Sequence, residues 1–478
     1  MYGGGVIVCL VLGAIPAAAD PIVCTRRVLA RFVNSPDDPA NMAVLSQYGA
    51  SISWRAHMVP GLVSINCPEL NAVSVAQALS ASSNVKYAET FTSDNDPWTA
   101  NPCQGHSGNI SALPLTADNV QKYHWARKNY GDPIANVVGT VGADLNAIPA
   151  WQVTTGSPEI VVAVIDAGIS INHPALVNSL WSNPNEITGD NIDNDANGIV
   201  DDIHGVKFGM SDDEQPLVTG DPRPPNNAND ESWSHGTSAA GLIFAAPSSG
   251  IHGIAPGCKL MSLSILQFGF SFEYDLYPER IAMALDYSMY MGARVTSLSL
   301  TQPEQFPTAF LELLEVAESI DHLFVVSAGN NHCNCDTEYL ASRFPAAHSL
   351  DYPAIIGVAA TDNNDCLAIY DDAHAQGCGN RNGSNFGAQT IFIGAPGWRN
   401  VSLRMMPNPS RGLYDWFGGT SAAAPHVAGA VALLLSIHPE YTCAEIKDKL
   451  AQAGRSVQSL DGITISGKTL DIGALINP

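Results

Sequence analysis

Runs of consecutive apolar residues recur along the second half of the chain, without the polar alternation of a half-solvated strand. Residues 160–166 (IVVAVID) and 322–330 (HLFVVSAGN) are two such runs, and both predict strands that are buried on both faces. Small and apolar residues from 418 to 437 predict a core helix. Buried strands combined with such helices favour an α/β fold, with a mostly parallel central sheet flanked by helices.

The N-terminal part of the chain has a different pattern. From about residue 28 to 94, strand-like pieces (RRVLARFV, MVPGLVSINC, VKYAET) alternate with helical ones (PANMAVLSQYG, NAVSVAQALSAS), which predicts a small α+β domain. An apolar stretch within residues 1–19 ends in small residues suited to cleavage before Asp20, so it predicts a signal peptide. A buried strand and a membrane anchor are the alternatives, but the run is short for a bilayer span. No later segment predicts a membrane span.

Charge and cysteine content narrow the possible partners. The 478 residues include 46 acidic and 22 basic ones, a net charge of −24, which argues against nucleic acid and anionic membranes as partners. We expect a monomer. The ten cysteines of a secreted chain favour disulfides over a zinc site, since Cys333 and Cys335 lack a matching second pair. Cys366 and Cys378 bracket one loop and could close it.

Four residues carry candidate chemistry. Ser421 lies among Gly and Ala at the start of the predicted core helix, where its side chain is approachable. A serine hydroxyl needs a base and an orienting carboxylate, and His235 and Asp166 are residues of those types. Asn330, just after a glycine, could donate to a developing oxyanion. Singly, these residues have plainer roles as caps or turn formers, but together they predict acyl transfer by a serine nucleophile.

The segments around these residues resemble the subtilisin-like serine proteases (subtilases). They are VVAVIDAGISINHPAL at Asp166, HGTSAAG at His235, SAGN at Asn330 and GTSAAAPHVAG at Ser421. The resemblance covers residues 142 to 478, and it implies a secreted, extracellular serine endopeptidase that acts on proteins or peptides. It also implies an inhibitory propeptide over residues 20–95 and a peptidase domain over 96–478. An accessory domain that stays attached is the alternative for residues 20–95. No dibasic site lies near residues 92–105, so we expect self-cleavage there.

The resemblance further implies where substrate binds. The segment SLSLT, residues 297–301, corresponds to a strand beside the family's specificity pocket, on which substrate adds as a further strand. The implied substrate-binding residues are Ser299, Leu300, Thr301, Ala328 and Gly329. Thr301 stands where the family commonly has glycine, so we expect a narrower pocket mouth.

Residues 190–202 (DNIDNDANGIVDD) place oxygen-bearing side chains at alternate positions before Gly198, a pattern that predicts a Ca²⁺ site. The candidate ligands are Asp193, Asp195, Asn197, the carbonyl of Ile199, and Asp201 or Asp202. His204 stands where an EF-hand needs glutamate, so the loop is not an EF-hand. Together with the upstream WSNPNEI, it resembles a calcium-binding insertion of subtilases, which implies a structural ion. A solvated turn is the alternative, because Asp and Asn favour turns.

Two other functions fit parts of the sequence. A catalytically inactive subtilase could serve as a binding protein, although all four chemical positions are intact. A secreted calcium-binding adhesion module would explain residues 190–202 but not the other four positions.

Overall fold

The computed structural model of the chain describes residues 22–23, 27–67, 71–90, 92–93, 115, 120–134, 137–210, 216–223, 234–265, 277–301, 308–337, 345–370, 382–405 and 412–477. The predicted signal peptide and Cys378 lie outside these residues. So does most of the stretch where we expect self-cleavage.

The N-terminal region folds as a small α+β unit with its own hydrophobic core. Its elements are β1 (Ile22–Val23), β2 (Arg27–Phe32), α1 (Pro39–Gln47), β3 (Ser51–Arg55), β4 (Leu62–Asn66), α2 (Ala72–Ser80), β5 (Val85–Glu89) and β6 (Thr92–Ser93). Four strands form an antiparallel sheet in the order β3-β4-β2-β5, and β1 pairs with β6. The predicted strands and helices of this region are confirmed. The strand β3 (SISWR) is an additional element beyond the predicted ones, and in it Ile52 and Trp54 alternate with polar residues.

The rest of the described chain is built around a ten-stranded sheet. Its strands and those of two small ribbons are β7 (Val161–Asp166), β8 (Gly205–Met210), β9 (Pro216–Thr219), β10 (Lys259–Ser264), β11 (Val295–Leu298), β12 (Leu323–Ser327), β13 (Ile355–Thr361), β14 (Ile369–Tyr370), β15 (Asn382–Gly383), β16 (Ile393–Pro396), β17 (Asn400–Leu403), β18 (Tyr414–Phe417), β19 (Arg455–Ser456) and β20 (Lys468–Thr469). The helices are α3 (Ala147–Val153), α4 (Ser234–Phe244), α5 (Tyr277–Tyr290), α6 (Thr308–Ser319), α7 (Thr420–Ile437), α8 (Cys443–Ala453) and α9 (Ile472–Ile476).

The strand order of the large sheet is β19-β20-β16-β13-β12-β11-β7-β10-β8-β9. From β16 to β8 all neighbouring strands run parallel, which confirms the mostly parallel α/β sheet. The chain leaves β7 toward β8 and β10 on one side and later returns to β11 on the other. The carboxyl ends of β7 and β11 therefore meet at a topological switch point, where open α/β sheets place their ligand sites.

Helix α7 passes through the core of this unit. Among the described residues, it is the one helix that is long and apolar enough to span a membrane, but 89% of its tested window is buried inside the protein. Its residues from Thr420 to Leu435 are all buried. The rest of the protein thus covers the apolar surface of α7, as predicted for a core helix.

The N-terminal sheet packs against α5 and α6 through buried and half-buried polar contacts. Glu312 of α6 pairs with Arg31 at 3.1 Å and with Lys86, and accepts a hydrogen bond from the Tyr87 hydroxyl at 2.7 Å. Asp286 of α5, fully buried, accepts hydrogen bonds from the backbone N–H groups of His57 and Met58. A further contact lies at the start of α6, where the Ala309 N–H donates to Glu89 at 3.1 Å. The small unit is therefore docked on two helices of the large one.

Candidate active site

Asp166 and His235 form a fixed pair at the switch point. Asp166 ends β7 and is fully buried, and its Oδ1 accepts a hydrogen bond from the Ala167 N–H at 2.7 Å. His235 lies in the first turn of α4, with Nδ1 2.9 Å from both carboxylate oxygens. Because a carboxylate can only accept, Nδ1 carries the proton and Nε2 is left as the basic nitrogen. At Gly236 a Cβ would lie 2.4 Å from the carbonyl of Gly168, so glycine allows α4 to begin this close to β7.

The electrostatics of His235 favour a base that is ready to accept a proton. Burial lowers the pKa of His235, but the Asp166 carboxylate and its hydrogen bond outweigh burial, so the pKa lies above the ordinary value of 6.5. The Phe417 ring packs edge-on against the imidazole, with centroids 5.1 Å apart. The side chain remains 18% exposed, which leaves it accessible from solvent.

Ser421 is the second residue of α7 and is 9% exposed. At that position its backbone N–H has no acceptor within the helix, so it is available to a ligand. Its hydroxyl donates to the carbonyl of Ser299 at 3.0 Å, and the Ser299 hydroxyl donates to the carbonyl of Ser421 at 2.9 Å. Both residues are described, and no hydrogen bond joins the Ser421 hydroxyl to the His235 imidazole. Such bonds are often absent from ligand-free sites and form only with substrate.

Asn330 follows β12, and its orientation is determined by α7. Its Oδ1 accepts from the Thr420 N–H at 2.9 Å and from the Thr420 hydroxyl at 3.2 Å. A backbone N–H can only donate, so the oxygen faces α7 and the Nδ2 amide remains for a ligand. Gly419 has a φ of +85°, and a Cβ there would lie 3.1 Å from Asn330. Thr420 therefore positions the amide, a role that sequence reasoning missed although Thr420 adjoins Ser421.

The segments expected to bind substrate differ in what they can offer. Residues 299–301 lie beyond the end of β11, so the strand predicted through residue 301 ends three residues earlier than expected. Leu300 and Thr301 are half-buried. In contrast, the backbone N–H of Ala328 donates to the carbonyl of Val358, and the backbone N–H of Gly329 donates to Thr420 Oγ1. The carbonyl of Gly329 accepts from the backbone N–H of Asn385, and the carbonyl of Ala328 accepts from its side-chain amide. The polar backbone groups of 328 and 329 already have partners, so this segment supplies shape rather than an added-strand pairing.

The acidic loop, residues 186–202, brings two of the predicted carboxylate ligands together with a third carboxylate. Carboxylate oxygens of Glu186, Asp193 and Asp195 lie within 4.8 Å of one another. Sequence reasoning did not select Glu186, although it noted the segment WSNPNEI that contains it. Oxygen ligands of this kind are the type that Ca²⁺ prefers.

The side chains of the other predicted ligands make hydrogen bonds that hold the loop together. Asp201 accepts from the N–H groups of Gly189 and Asn191, and the Asn197 Oδ1 accepts from the Ile199 N–H. Asp202 is fully buried and accepts from Asn183, Asn197 and the Tyr287 hydroxyl. Burial raises the pKa of Asp202, against the effect of these hydrogen bonds. These hydrogen bonds stabilise the conformation of the loop.

The suggested closure of a loop by Cys366 is wrong. Cys366 carries a free, exposed thiol in the structure. Cys67, Cys258 and Cys443 are also free, and all three are buried, where apolar packing protects their thiols.

Comparison with known proteins identifies the chain. A model of the Subtilase family matches residues 157–463, which is more than half of the chain. The chain belongs to the subtilase family. Subtilisin of Bacillus pumilus is 30% identical to this subtilase over 298 residues, which is 62% of this chain and 83% of that protein. Subtilisin-like protease 1 of Plasmodium berghei (strain Anka) is 29% identical over 356 residues, 69% of this chain and 52% of that protein.

Solved structures show the same fold. Fervidolysin from Fervidobacterium pennivorans, described as a keratinolytic enzyme related to subtilisin, aligns with a TM-score of 0.61 at 20% identity and covers 97% of this chain and 62% of that one. The subtilase spans between 47% and 60% of the length of the first three curated relatives that it matches.

Proposed function

We propose that this subtilase is a serine endopeptidase that hydrolyses peptide bonds in proteins. The observation that carries the proposal is the Asp166–His235 pair at 2.9 Å, held at the switch point of the sheet. The Ser421 hydroxyl lies at the start of α7, and the outward amide of Asn330 is held by the residue before Ser421. A base, a nucleophile and an oxyanion donor are the parts that acyl transfer by serine requires.

Each side chain then has a defined task. In the proposed reaction the Ser421 hydroxyl leaves the Ser299 carbonyl, passes its proton to His235 Nε2 and attacks the peptide carbonyl carbon. His235 gives that proton to the leaving amine, and Asp166 stabilises the imidazolium without taking the proton itself. The Asn330 amide and the Ser421 N–H stabilise the oxyanion. Water then releases the acyl group from Ser421 by the same steps in reverse order.

We also propose that the N-terminal unit, residues 20–95, is an inhibitory propeptide of a secreted precursor. Its docking on α5 and α6, through Glu312 and Asp286, supports a role as an intramolecular partner. Self-cleavage near residues 92–105 would separate it from the peptidase domain, 96–478. The acidic cluster of Glu186, Asp193 and Asp195 fits a structural Ca²⁺ that would hold the loop in its folded form.

Ser421→Ala tests the proposed function. We expect it to abolish cleavage of a protein substrate and labelling by an active-site serine probe, because loss of the triad serine costs about a millionfold in a related protease. Ser436→Ala is the matched control: Ser436 lies on the same helix, and its hydroxyl donates to Ala432. That variant should cleave and label like the parent.

Mass spectrometry of the purified parent beside Ser421→Ala reports processing at the same time. A precursor that accumulates only in Ser421→Ala supports self-cleavage. Normal cleavage by Ser421→Ala would end the proposal, and a parent that takes no probe would indicate an inactive subtilase.

A further inference from the structure

Arg127 is a buried arginine that contacts both helices of the candidate active site. It is 5% exposed, and no described carboxylate pairs with it. Its Nε donates to the carbonyl of His252 at 2.9 Å, and one terminal nitrogen donates to the carbonyl of Leu242 at 3.0 Å. The other terminal nitrogen contacts Nε2 of His426. A buried cation without a counter-charge is tolerated only when its donors find acceptors, and here three chain segments supply them.

The contact with His426 requires one particular protonation state. Nδ1 of His426 lies 2.9 Å from the carbonyl of Pro396, so Nδ1 carries the proton and Nε2 offers its lone pair to Arg127. Burial, and then the charge of Arg127, lower the pKa of His426 well below its ordinary value, so the imidazole stays neutral. Burial lowers the pKa of Arg127 to about 9, which leaves it protonated at neutral pH.

Two of the three acceptors lie on the helices that carry the proposed chemistry. Leu242 lies on α4, about two turns after His235, and His426 lies on α7, about one and a half turns after Ser421. One planar guanidinium thus joins the helix of the base to the helix of the nucleophile. The donor directions of arginine are rigid, so such a joint restricts both distance and angle.

We propose that Arg127 is a positioning residue for the peptidase site, because it sets the separation of α4 and α7 and with it that of His235 and Ser421. This inference rests on the proposed function. The hydrogen bonds of Arg127 do not reach residues 299–301, where we expect substrate to bind, whereas proton transfer from Ser421 to His235 depends on the spacing of the two helices. A misplacement of about 1 Å can cost about a hundredfold in rate.

Arg294 provides a matched control. It also donates to three carbonyls, those of Asp321 at 3.2 Å, Pro439 at 2.8 Å and Tyr441 at 3.1 Å. These acceptors lie after α6 and between α7 and α8, outside the catalytic turns of α4 and α7. Arg294→Met therefore removes a comparable set of hydrogen bonds without changing the α4–α7 joint.

The test is a kinetic comparison of full-length Arg127→Met and Arg294→Met with the parent. Both variants should melt at a lower temperature. Well below that temperature, Arg127→Met should show a kcat about tenfold to a hundredfold lower, an equal loss in the labelling rate by a serine probe, and a KM within about twofold of the parent. Arg294→Met should keep the parent kcat. Parent-like kcat and labelling in folded Arg127→Met would overturn the inference.

A double-mutant cycle with His426→Leu tests whether the two residues act as one joint. We expect Arg127→Met/His426→Leu to lose no more kcat than the more impaired single variant, since each change breaks the same contact. Independent, multiplying losses would refute the joint. If Arg127→Met does not fold, the cycle is run with Arg127→Lys, which retains the positive charge but not the planar guanidinium with its fixed donor directions. An inactive, unlabelled parent would instead refute the proposed function, and parent activity separates the two failures.

Discussion

Replacement of Asn330 gives the sharpest test of the proposed oxyanion site. The Asn330 oxygen accepts from the Thr420 N–H at 2.9 Å, so its amide nitrogen is the group that remains for substrate. Asn330→Ala removes that donor, and loss of one such donor costs about a hundredfold to a thousandfold in kcat, or about 2.7–4 kcal/mol of transition-state stabilisation. The ground-state carbonyl needs the donor less than the oxyanion does, so KM should stay near that of the parent.

Asn330→Ala also removes an acceptor at the start of α7, and this second effect needs its own control. Loss of that hydrogen bond should lower stability by about 1 kcal/mol. Asn330→Asp keeps an oxygen for the Thr420 N–H but replaces the donor with a negative charge. We therefore expect it to lose at least as much kcat as Asn330→Ala, with a smaller decrease in melting temperature.

The assay measures kcat and KM on one peptide substrate, with melting temperatures recorded for the same preparations. If folded Asn330→Ala keeps a kcat within about threefold of an active parent, the amide does not stabilise the transition state. If only Asn330→Ala loses activity while Asn330→Asp retains it, the oxygen contact to α7 matters and the donor does not.

Asp166, the acidic loop and Glu312 give three further predictions. Asp166→Asn should lower kcat by about ten-thousandfold and move the acid limb of the kcat/KM pH profile to lower pH, because the carboxylate raises the pKa of His235; an unmoved limb would contradict that assignment. Chelation of divalent cations should lower the melting temperature of the parent but not of Asp193→Asn, and an unchanged parent melt would count against the site. For Glu312, burial opposes ionisation, but Lys86 and the other donors outweigh it, so its pKa is lowered. The docking contribution of Glu312 is then present at neutral pH and lost as pH falls through that lowered pKa. Glu312→Gln in a Ser421→Ala background should speed hydrogen exchange of residues 85–89 at neutral pH, and the difference should vanish in acid.

The sequence alone was sufficient wherever the signal is local. The apolar run of residues 160–166 predicts a buried strand that ends at Asp166, and the structure has β7 there. The small apolar residues after Gly418 predict the core helix, observed as α7. In both cases, neighbouring residues determine burial and conformation, so a short window contains the information. The strand β3 lacks an apolar run, and the signal that could have found it is the alternation of Ile52 and Trp54 with polar residues.

Only the tertiary structure decided which distant groups meet. Glu186 joins Asp193 and Asp195, whereas Asp202 turns inward to Tyr287. Arg127 reaches His426 across 299 positions of sequence. The order of strands and the packing of helices set these contacts, and they depend on the whole chain rather than on a window. Sequence thus determined the family and the types of reacting groups, while the fold determined how those groups are oriented, since hydrogen-bond direction exists only once the partners are in place.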